Sequence, residues 1–272
     1  MIQQARSIVT YLPAPGDSAT QTVTLIPGDG IGPEVTRSVV DVVAAMGAPI
    51  TWERFDYLSG SEVTPTGKVP RSSVPKDVLD SIRRNGVCLK GTLFTELGSA
   101  NTNTQSLNVQ LRKDLDLHVN VVHGFSIPGL ETRHRNLDIV VIRENTEGEY
   151  SGLEHEAVEG VVESLKVITY DKSYRTAKYA FEFAFLNDRK KVSAIHKANI
   201  MKQGDGMFLR ACREVARQYP KIQFEEVIVD NTCMQLVYRD GDRKALTPDV
   251  GGTGTLLAFT EEVIRNLERN AQ

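Results

Sequence analysis

The sequence has few of the features that mark membrane, nucleic-acid-binding or disulfide-rich proteins. Its three cysteines, Cys88, Cys212 and Cys233, are scattered, with no CxxC pair and no histidine at metal-ligand spacing. Such cysteines are typical of buried, reduced thiols in a reducing compartment. No apolar run reaches the ~20 residues that a membrane-spanning helix needs. The net charge of −3, with both signs mixed along the chain, argues against a nucleic-acid-binding face.

The N-terminal region lacks a recognisable targeting pattern. Residues 1–20 are predicted to form a polar arm, because Pro13, Pro15 and Gly16 disfavour regular structure. This arm is not the long amphipathic stretch of a transit peptide, so we expect any presequence to be short or removed. The 272 residues contain no internal repeats and suffice for one large domain or two modest ones.

Alternating strand and helix patterns predict an α/β fold with parallel strands. The predicted strands cover residues 22–27, 86–90, 117–123, 137–142, 191–196 and 226–230, which are short, apolar runs. The predicted helices cover residues 34–45, 76–85, 173–187, 207–219 and, near the C-terminus, 256–267. Residues 59–76, rich in proline, glycine and serine, are predicted to form a surface loop. The helix at 173–187 carries an apolar stripe that predicts a core-facing surface: Ala177, Ala180, Phe181, Ala184 and Phe185.

A glycine-rich turn, residues 28–33, joins the first strand to its helix. Its G-x-G-x-G spacing lacks the third glycine of the dinucleotide-binding fingerprint, and no acidic residue ends a clear second strand. A tight turn in which Pro33 sets the first helical φ explains the same residues. The spacing favours this tight turn over a phosphate cradle.

The stretch Arg143-Glu-Asn-Thr-Glu-Gly-Glu-Tyr150 places a guanidinium, three carboxylates, an amide and a phenol directly after a predicted strand. Arg143 can hold a carboxylate through two parallel charged hydrogen bonds. Tyr150 can pass a proton when a cation or metal lies nearby. The alternative is a polar exit from the strand on a solvated face.

Two further groups of residues suggest binding chemistry. Ser106 is a candidate helix N-cap, and Asn108 and Arg112 follow on one helical face, so the three side chains can converge on an anion. Capping and a solvated helix face explain them equally well. Lys197 follows one predicted strand and Asp230 is the last residue of another, at the sheet edge where α/β proteins usually bind ligands. A solvated lysine is the alternative, although His196, Asn199 and Asp205 lie close to Lys197 in sequence.

Five motifs in order resemble the β-decarboxylating dehydrogenase family of isocitrate and isopropylmalate dehydrogenases, and within it the mitochondrial NAD-dependent isocitrate dehydrogenases. They are PGDGIGPE (27–34), SLNVQLR (106–112), RENTEGEYSGLEHE (143–156), HKANIMKQGDG (196–206) and VDNTCMQLV (229–237). The resemblance implies an α/β fold of two interleaved domains. The large domain would hold residues 21–117 and 238–272, and the small domain, with dimer-interface elements, residues 118–237.

The resemblance also implies a role for each matching residue. Ser106, Asn108, Arg112 and Arg143 would bind a tricarboxylate, Tyr150 and Lys197 would be the acid/base pair, and Asp230 would bind Mg²⁺ or Mn²⁺. In this family the lysine and one aspartate enter the active site of the neighbouring subunit, so the functional unit is at least a dimer. The reaction converts isocitrate and NAD into 2-oxoglutarate, CO₂ and NADH in the mitochondrial matrix.

Two departures from the family pattern suggest a different role for this chain. Catalytic members carry a second arginine where this chain has Val122, and Val122-His123 resembles the non-catalytic, regulatory subunits. After Val237 the chain continues directly with a stretch that resembles the family's extreme C-terminus. About a hundred residues of the family pattern are therefore absent, which is the typical size of a whole domain. In other members of the family, the residues that are absent here carry further metal-binding aspartates and hold the adenosine of NAD. Asp240 and Asp242 could replace the aspartates, although turn residues explain them equally well.

We therefore expect a regulatory-type subunit with no complete metal site and no NAD pocket of its own. It would supply Lys197 and Asp230 to a catalytic partner subunit in a hetero-oligomer, and its own tricarboxylate-binding residues would bind isocitrate or citrate as an effector. The alternative is a non-catalytic interaction or scaffold protein that keeps the fold. A relative that acts on isopropylmalate fits less well, because such relatives carry further arginines where Val122 stands.

Overall fold

The computed structural model describes residues 20–64, 67–70, 73–95, 106–126 and 137–238. The predicted N-terminal arm up to residue 19, the polar run after residue 238 with Asp240 and Asp242, and the predicted C-terminal helix at 256–267 lie outside these ranges. The predicted boundaries of the two domains therefore stay a prediction. None of the helices within the described ranges is long and apolar enough to cross a bilayer.

Strands and helices alternate along most of the described chain, as the sequence predicts for an α/β fold. The strands are β1 (Gln21–Gly28), β2 (Ile50–Arg54), β3 (Ser61–Thr64), β4 (Gly67–Pro70), β5 (Cys88–Thr92), β6 (Val119–Phe125), β7 (Asp138–Glu144), β8 (Gly148–Val158), β9 (Val161–Val167), β10 (Lys191–His196) and β11 (Gln223–Ile228). The helices are α1 (Gly32–Ala45), α2 (Lys76–Asn85), α3 (Leu107–Asp114), α4 (Tyr170–Leu186), α5 (Gly204–Ala216) and α6 (Val229–Tyr238). They fall into two compact units. Unit 1 comprises the described residues up to Val119 together with Asn145–Lys166, and unit 2 comprises Asn120–Glu144 and the described residues from Val167.

Unit 1 is built on a three-stranded parallel sheet in the order β2-β1-β5. Residues 23–27 of the central strand β1 are all buried, as expected of a parallel strand that is covered on both faces. The core joins the sheet to α2 and α3 and contains Ile26, Phe55, Leu58, Val74, Val78, Leu93, Leu107 and Leu111.

Two glycines let the end of β1, the start of α1 and the end of β5 approach closely. Gly28 has φ +73°, and a Cβ there would lie 1.9 Å from the Thr92 carbonyl oxygen. A Cβ on Gly32 would lie 2.1 Å from the Pro27 carbonyl oxygen. The chain's own backbone therefore fills the space against these glycines, which supports the tight turn and not a phosphate cradle.

The predicted loop at residues 59–76 is wrong over two short segments, because β3 and β4 pair antiparallel there. Ser61 lies opposite Pro70, and Thr64 lies opposite Gly67. The β-branched residues of these strands favour extended backbone, and the two strands are neighbours in sequence. A composition dominated by proline, glycine and serine does not reveal such short strands.

Unit 2 contains the parallel pair β10-β11, with α4 and α5 packed together beside it. Its core contains Ala177, Phe181, Ala184, Ala194, Leu209, Cys212, Val215 and Ile222. The predicted stripe on α4 is confirmed at Ala177, Phe181 and Ala184 and is wrong at Phe185, which is 50% exposed. The Phe181 ring packs in this core and stacks on the Tyr219 ring, with 5.5 Å between the two ring centres.

Three further predictions need correction. The predicted strand at 226–230 ends at Ile228, where its pairing with β10 stops, and Asp230 lies in the first turn of α6. The predicted strand at 86–90 begins only at Cys88, because Gly86 caps α2 with φ +71°. Of the three cysteines predicted to be buried, Cys233 is exposed and Cys88 is half-buried. Cys212 is buried, and burial raises its pKa to about 12.

Candidate functional site

Helix α3 carries three of the predicted binding residues and begins beside Ser106. The Ser106 side chain accepts a hydrogen bond from the Val109 N–H at 3.4 Å, so it is the N-cap that the sequence predicts. Asn108 Nδ2 donates to the Leu93 carbonyl oxygen at 3.1 Å and joins the helix start to the segment after β5. These contacts fix the helix N-terminus. The roles of both residues toward a tricarboxylate stay a prediction.

Arg112, near the end of α3, contacts the start of β8. Its guanidinium carbon lies 5.5 Å from the centre of the Tyr150 ring, which is within cation–π range. Beside this pair, Lys113 Nζ donates to the Ser151 carbonyl oxygen at 3.1 Å. Arg112 and Tyr150 are both partly buried in unit 1. The structure thus brings a predicted anion-binding guanidinium against a predicted proton-transfer phenol.

The turn before Tyr150 is buried and well connected. Asn145, Thr146 and Glu147 are buried, and the Asn145 N–H donates to the His118 carbonyl oxygen at 2.8 Å. The Tyr150 N–H donates to the Glu147 carbonyl oxygen at 3.2 Å. A polar exit on a solvated face does not fit these three buried residues. The stretch is instead a fixed support for Tyr150.

In unit 2, Lys197 and Asp230 meet at the ends of two paired parallel strands. β10 ends at His196 and β11 ends at Ile228, and these two residues are partners in the strand register. Because parallel strands in register end at the same sheet edge, the residues that follow them come close together. Lys197 Nζ forms an ion pair with Asp230 Oδ2. The Asp230 side chain is 62% exposed, so this pair stands at an accessible edge.

The main chain around Lys197 is held at several points. The Lys197 N–H donates to Asp205 Oδ2 at 2.6 Å, and Asp205 is only 8% exposed. The Lys197 carbonyl oxygen accepts from the N–H groups of Ile200 and Met201, at 3.0 and 2.8 Å. The Ala198 N–H donates to His196 Nδ1 at 3.0 Å. The backbone at Lys197 is therefore fixed on both sides of its side chain.

Arg143 and Val122 lie on β7 and β6, in unit 2. Arg143 is exposed, and its neighbour Glu144 accepts a hydrogen bond from Thr176 Oγ1 at 2.7 Å. Val122 is 52% exposed and offers no charge to a substrate carboxylate. Of the four predicted tricarboxylate-binding residues, Arg143 thus belongs to unit 2 and the other three to unit 1. Their joint action on one ligand stays a prediction.

The described residues do not form a metal site by themselves. In the described part of the chain, no group of three or more histidine, cysteine or acidic side chains is placed so that it could hold a metal ion. Asp230 contributes one carboxylate, whereas Mg²⁺ takes six oxygen ligands in near-octahedral geometry.

One supporting residue, Asp29, is missed by the sequence argument, which places it only in the glycine-rich turn. Its carboxylate accepts hydrogen bonds from the Ser59 hydroxyl at 2.5 Å and from the N–H groups of Gly60 and Phe94 at 2.7 and 2.8 Å. These bonds join two loops at the carboxyl edge of the unit 1 sheet. An aspartate between two glycines after a strand is the one sequence signal of such a role.

The isocitrate/isopropylmalate dehydrogenase family profile matches residues 22–247. The mitochondrial NAD isocitrate dehydrogenase regulatory subunit 1 of Arabidopsis thaliana is 62% identical over 234 residues, which are 86% of this chain and 60% of that protein. Catalytic subunit 5 from the same species is 52% identical over 216 residues, which are 79% of this chain and 56% of that protein. The crystal structure of isocitrate dehydrogenase from Methylococcus capsulatus is 41% identical, with a TM-score of 0.71 over 80% of this chain and 63% of that one. This chain thus spans about 60% of the length of the curated relatives it matches. It belongs to the isocitrate/isopropylmalate dehydrogenase family.

Proposed function

We propose that this chain is a regulatory-type subunit of a mitochondrial NAD-dependent isocitrate dehydrogenase. The assembled enzyme would oxidise isocitrate to 2-oxoglutarate and CO₂ and reduce NAD. The similarity to regulatory subunits of this enzyme supports the proposal, and so does Val122, which stands where catalytic members carry an arginine. Losing a bidentate clamp on a substrate carboxylate removes oriented binding that catalysis needs.

The observation that carries the proposal is the pairing of Lys197 with Asp230 at an accessible sheet edge. We propose that both side chains enter the active site of a catalytic partner subunit. An exposed ion pair adds only about 0–1 kcal/mol to the folding stability, so stability alone does not explain this pair. The buried Asp205 carboxylate also holds the Lys197 main-chain N–H, and a lysine that is merely solvated does not require such a contact.

The chemistry assigns these residues a proton-handling role. As hydride leaves C2 of isocitrate, the C2 hydroxyl must lose its proton, and after CO₂ departs the enolate must gain a proton at C3. The Lys197 amino group can take up or release a proton at this point, while Asp230 orients it. NAD would accept the hydride, and a divalent metal with Asp230 as one of its ligands would polarise the substrate oxygen. We assign the NAD site and the remaining metal ligands to the catalytic partner.

We propose that the anion-binding residues of this chain serve an effector. Arg112, with Ser106 and Asn108 of the same unit, would bind isocitrate or citrate. The Tyr150 ring orients the Arg112 guanidinium through the cation–π contact described above. Tyr150 would be the second acid/base residue of the family pattern, kept here beside the effector.

The test is to coexpress this chain with a catalytic subunit that carries an affinity tag, and to compare the complex with the catalytic subunit alone. We expect the two chains to purify together, kcat to rise in the complex, and calorimetry to detect citrate binding to this chain. A scaffold protein would bind the catalytic subunit but would neither bind citrate nor change the kcat or KM of its partner. That outcome would reject the proposed function.

A further inference from the structure

We infer that Asp205 is a positioning residue for Lys197, whose ammonium it places by holding the Lys197 main-chain N–H. The inference rests on the proposed function, because that function gives Lys197 its role in proton transfer. Asp205 Oδ2 accepts the Lys197 main-chain N–H, so its effect passes through the backbone.

The contact between Asp205 and Lys197 is short, charged and buried. Asp205 Oδ2 accepts the Lys197 N–H at 2.6 Å, and hydrogen bonds to an ionised acceptor are roughly twice as strong as neutral ones. Only 8% of Asp205 is exposed, so a lost partner could not be replaced fully by water. Asp205 sits in the first turn of α5 and so connects that helix to the end of β10.

The position of the contact explains why it matters for the ammonium. Lys197 is the first residue beyond β10, where the ladder to β11 no longer fixes the chain. Asp205 holds the near end of the residue at its backbone, and Asp230 holds the far end at Nζ. The lysine side chain is a flexible stem of four carbons, so fixing only its backbone end leaves the ammonium mobile. A displacement of about 1 Å at a reacting group can cost up to about a hundredfold in rate.

The test compares Asp205→Ala, which removes the acceptor, with Asp205→Asn, which keeps an acceptor oxygen of the same reach. Thr36→Val is the control, because it removes another buried hydrogen bond, from Thr36 Oγ1 to the Gly32 carbonyl oxygen at 2.8 Å, in unit 1. In complex with the catalytic subunit, we expect Asp205→Ala to lower kcat roughly tenfold and to change KM for isocitrate by less than about twofold. Asp205→Asn should stay within about threefold of the unmodified complex, and Thr36→Val should leave kcat unchanged.

Hydrogen–deuterium exchange on this chain within the same complex gives a second readout that needs no activity. Exchange of the Lys197 amide should rise in Asp205→Ala and stay slow in Asp205→Asn and Thr36→Val. Unchanged exchange in Asp205→Ala would overturn the inference, and so would faster exchange without a fall in kcat. If Lys197→Met leaves turnover intact, the proposed function fails instead, whatever the exchange data show at Asp205.

Discussion

Asp138 is the centre of a charged cluster that joins β6, β7 and the segment after α4. Arg189 donates to both of its carboxylate oxygens, at 2.6 and 2.7 Å, and His123 Nε2 lies 2.8 Å from Asp138 Oδ1. These bonds, first those from Arg189 and then that from His123, lower the pKa of Asp138 from 3.8 to about 2. A depressed pKa means that the ionised carboxylate is favoured in the folded chain.

We predict that Asp138→Asn lowers stability at neutral pH and that this difference disappears in acid. The stability due to the ionised carboxylate is complete above its ordinary pKa of 3.8 and is lost as the pH falls through about 2. The cluster is exposed, so the effect at neutral pH should be small. Urea unfolding of both chains at several pH values measures it. A difference between the two chains that stays constant down to pH 2 would contradict the prediction.

At the scale of elements, the start of α3 combines a structural and a binding role in Ser106. Its side chain caps the helix, and the same N-terminus is predicted to face the tricarboxylate. The two roles can be separated because aspartate also caps helices well but carries a negative charge.

We predict that Ser106→Ala lowers the free energy of unfolding by about 1 kcal/mol, because the cap is lost. Ser106→Asp should keep the stability of the unmodified chain and weaken citrate binding, because the carboxylate repels the ligand. Urea unfolding and calorimetry on both variants measure the two effects. Citrate binding that is equally tight in Ser106→Asp would show that the ligand lies elsewhere.

Elements with strong local patterns are predicted well from the sequence. The helix at 76–85 and the strand at 191–196 match α2 and β10 residue for residue. The sequence does not predict β8, because most of its side chains are exposed and they show no apolar alternation. Asp230 is assigned to a strand because a β-branched run precedes it, although the strand pairing stops two residues earlier.

The chemistry-bearing side chains of the candidate site are also visible in the sequence, but their supports are not. Lys197 and Asp230 can be chosen from motif and strand position alone. One partner of Asp205 is the Lys197 N–H, and the partners of Asp29 include the N–H groups of Gly60 and Phe94. Every residue except proline carries an N–H, so only the fold decides which one reaches a carboxylate.

At the scale of the whole molecule, apolar side chains are exposed on two elements of unit 1. Helix α1 and its two cap residues expose one stripe, Ile31, Val35, Val42 and Met46. The hairpin β8-β9 exposes Leu153, Val158, Val161, Val162 and Leu165. A two-stranded hairpin is marginally stable on its own, and contiguous apolar surface usually marks a contact with another chain.

We therefore predict that the chain expressed alone self-associates or melts at low temperature, and that a catalytic partner stabilises it. Binding to the folded state alone raises the apparent stability by mass action. Calorimetric melts and light scattering of the chain with and without the partner measure this. A monomer that melts sharply at high temperature without any partner would contradict the prediction.

The most direct test of the account is the turnover of the complex between a catalytic subunit and this chain carrying Lys197→Met. Methionine keeps most of the side-chain length and removes the ammonium that Asp230 and Asp205 hold in place. Ser193→Ala, on the same strand and exposed, is the matched control. The account predicts that kcat falls about a hundredfold or more in Lys197→Met, as expected for a lost acid/base group, and stays unchanged in Ser193→Ala. Undiminished turnover in a fully assembled Lys197→Met complex would contradict it.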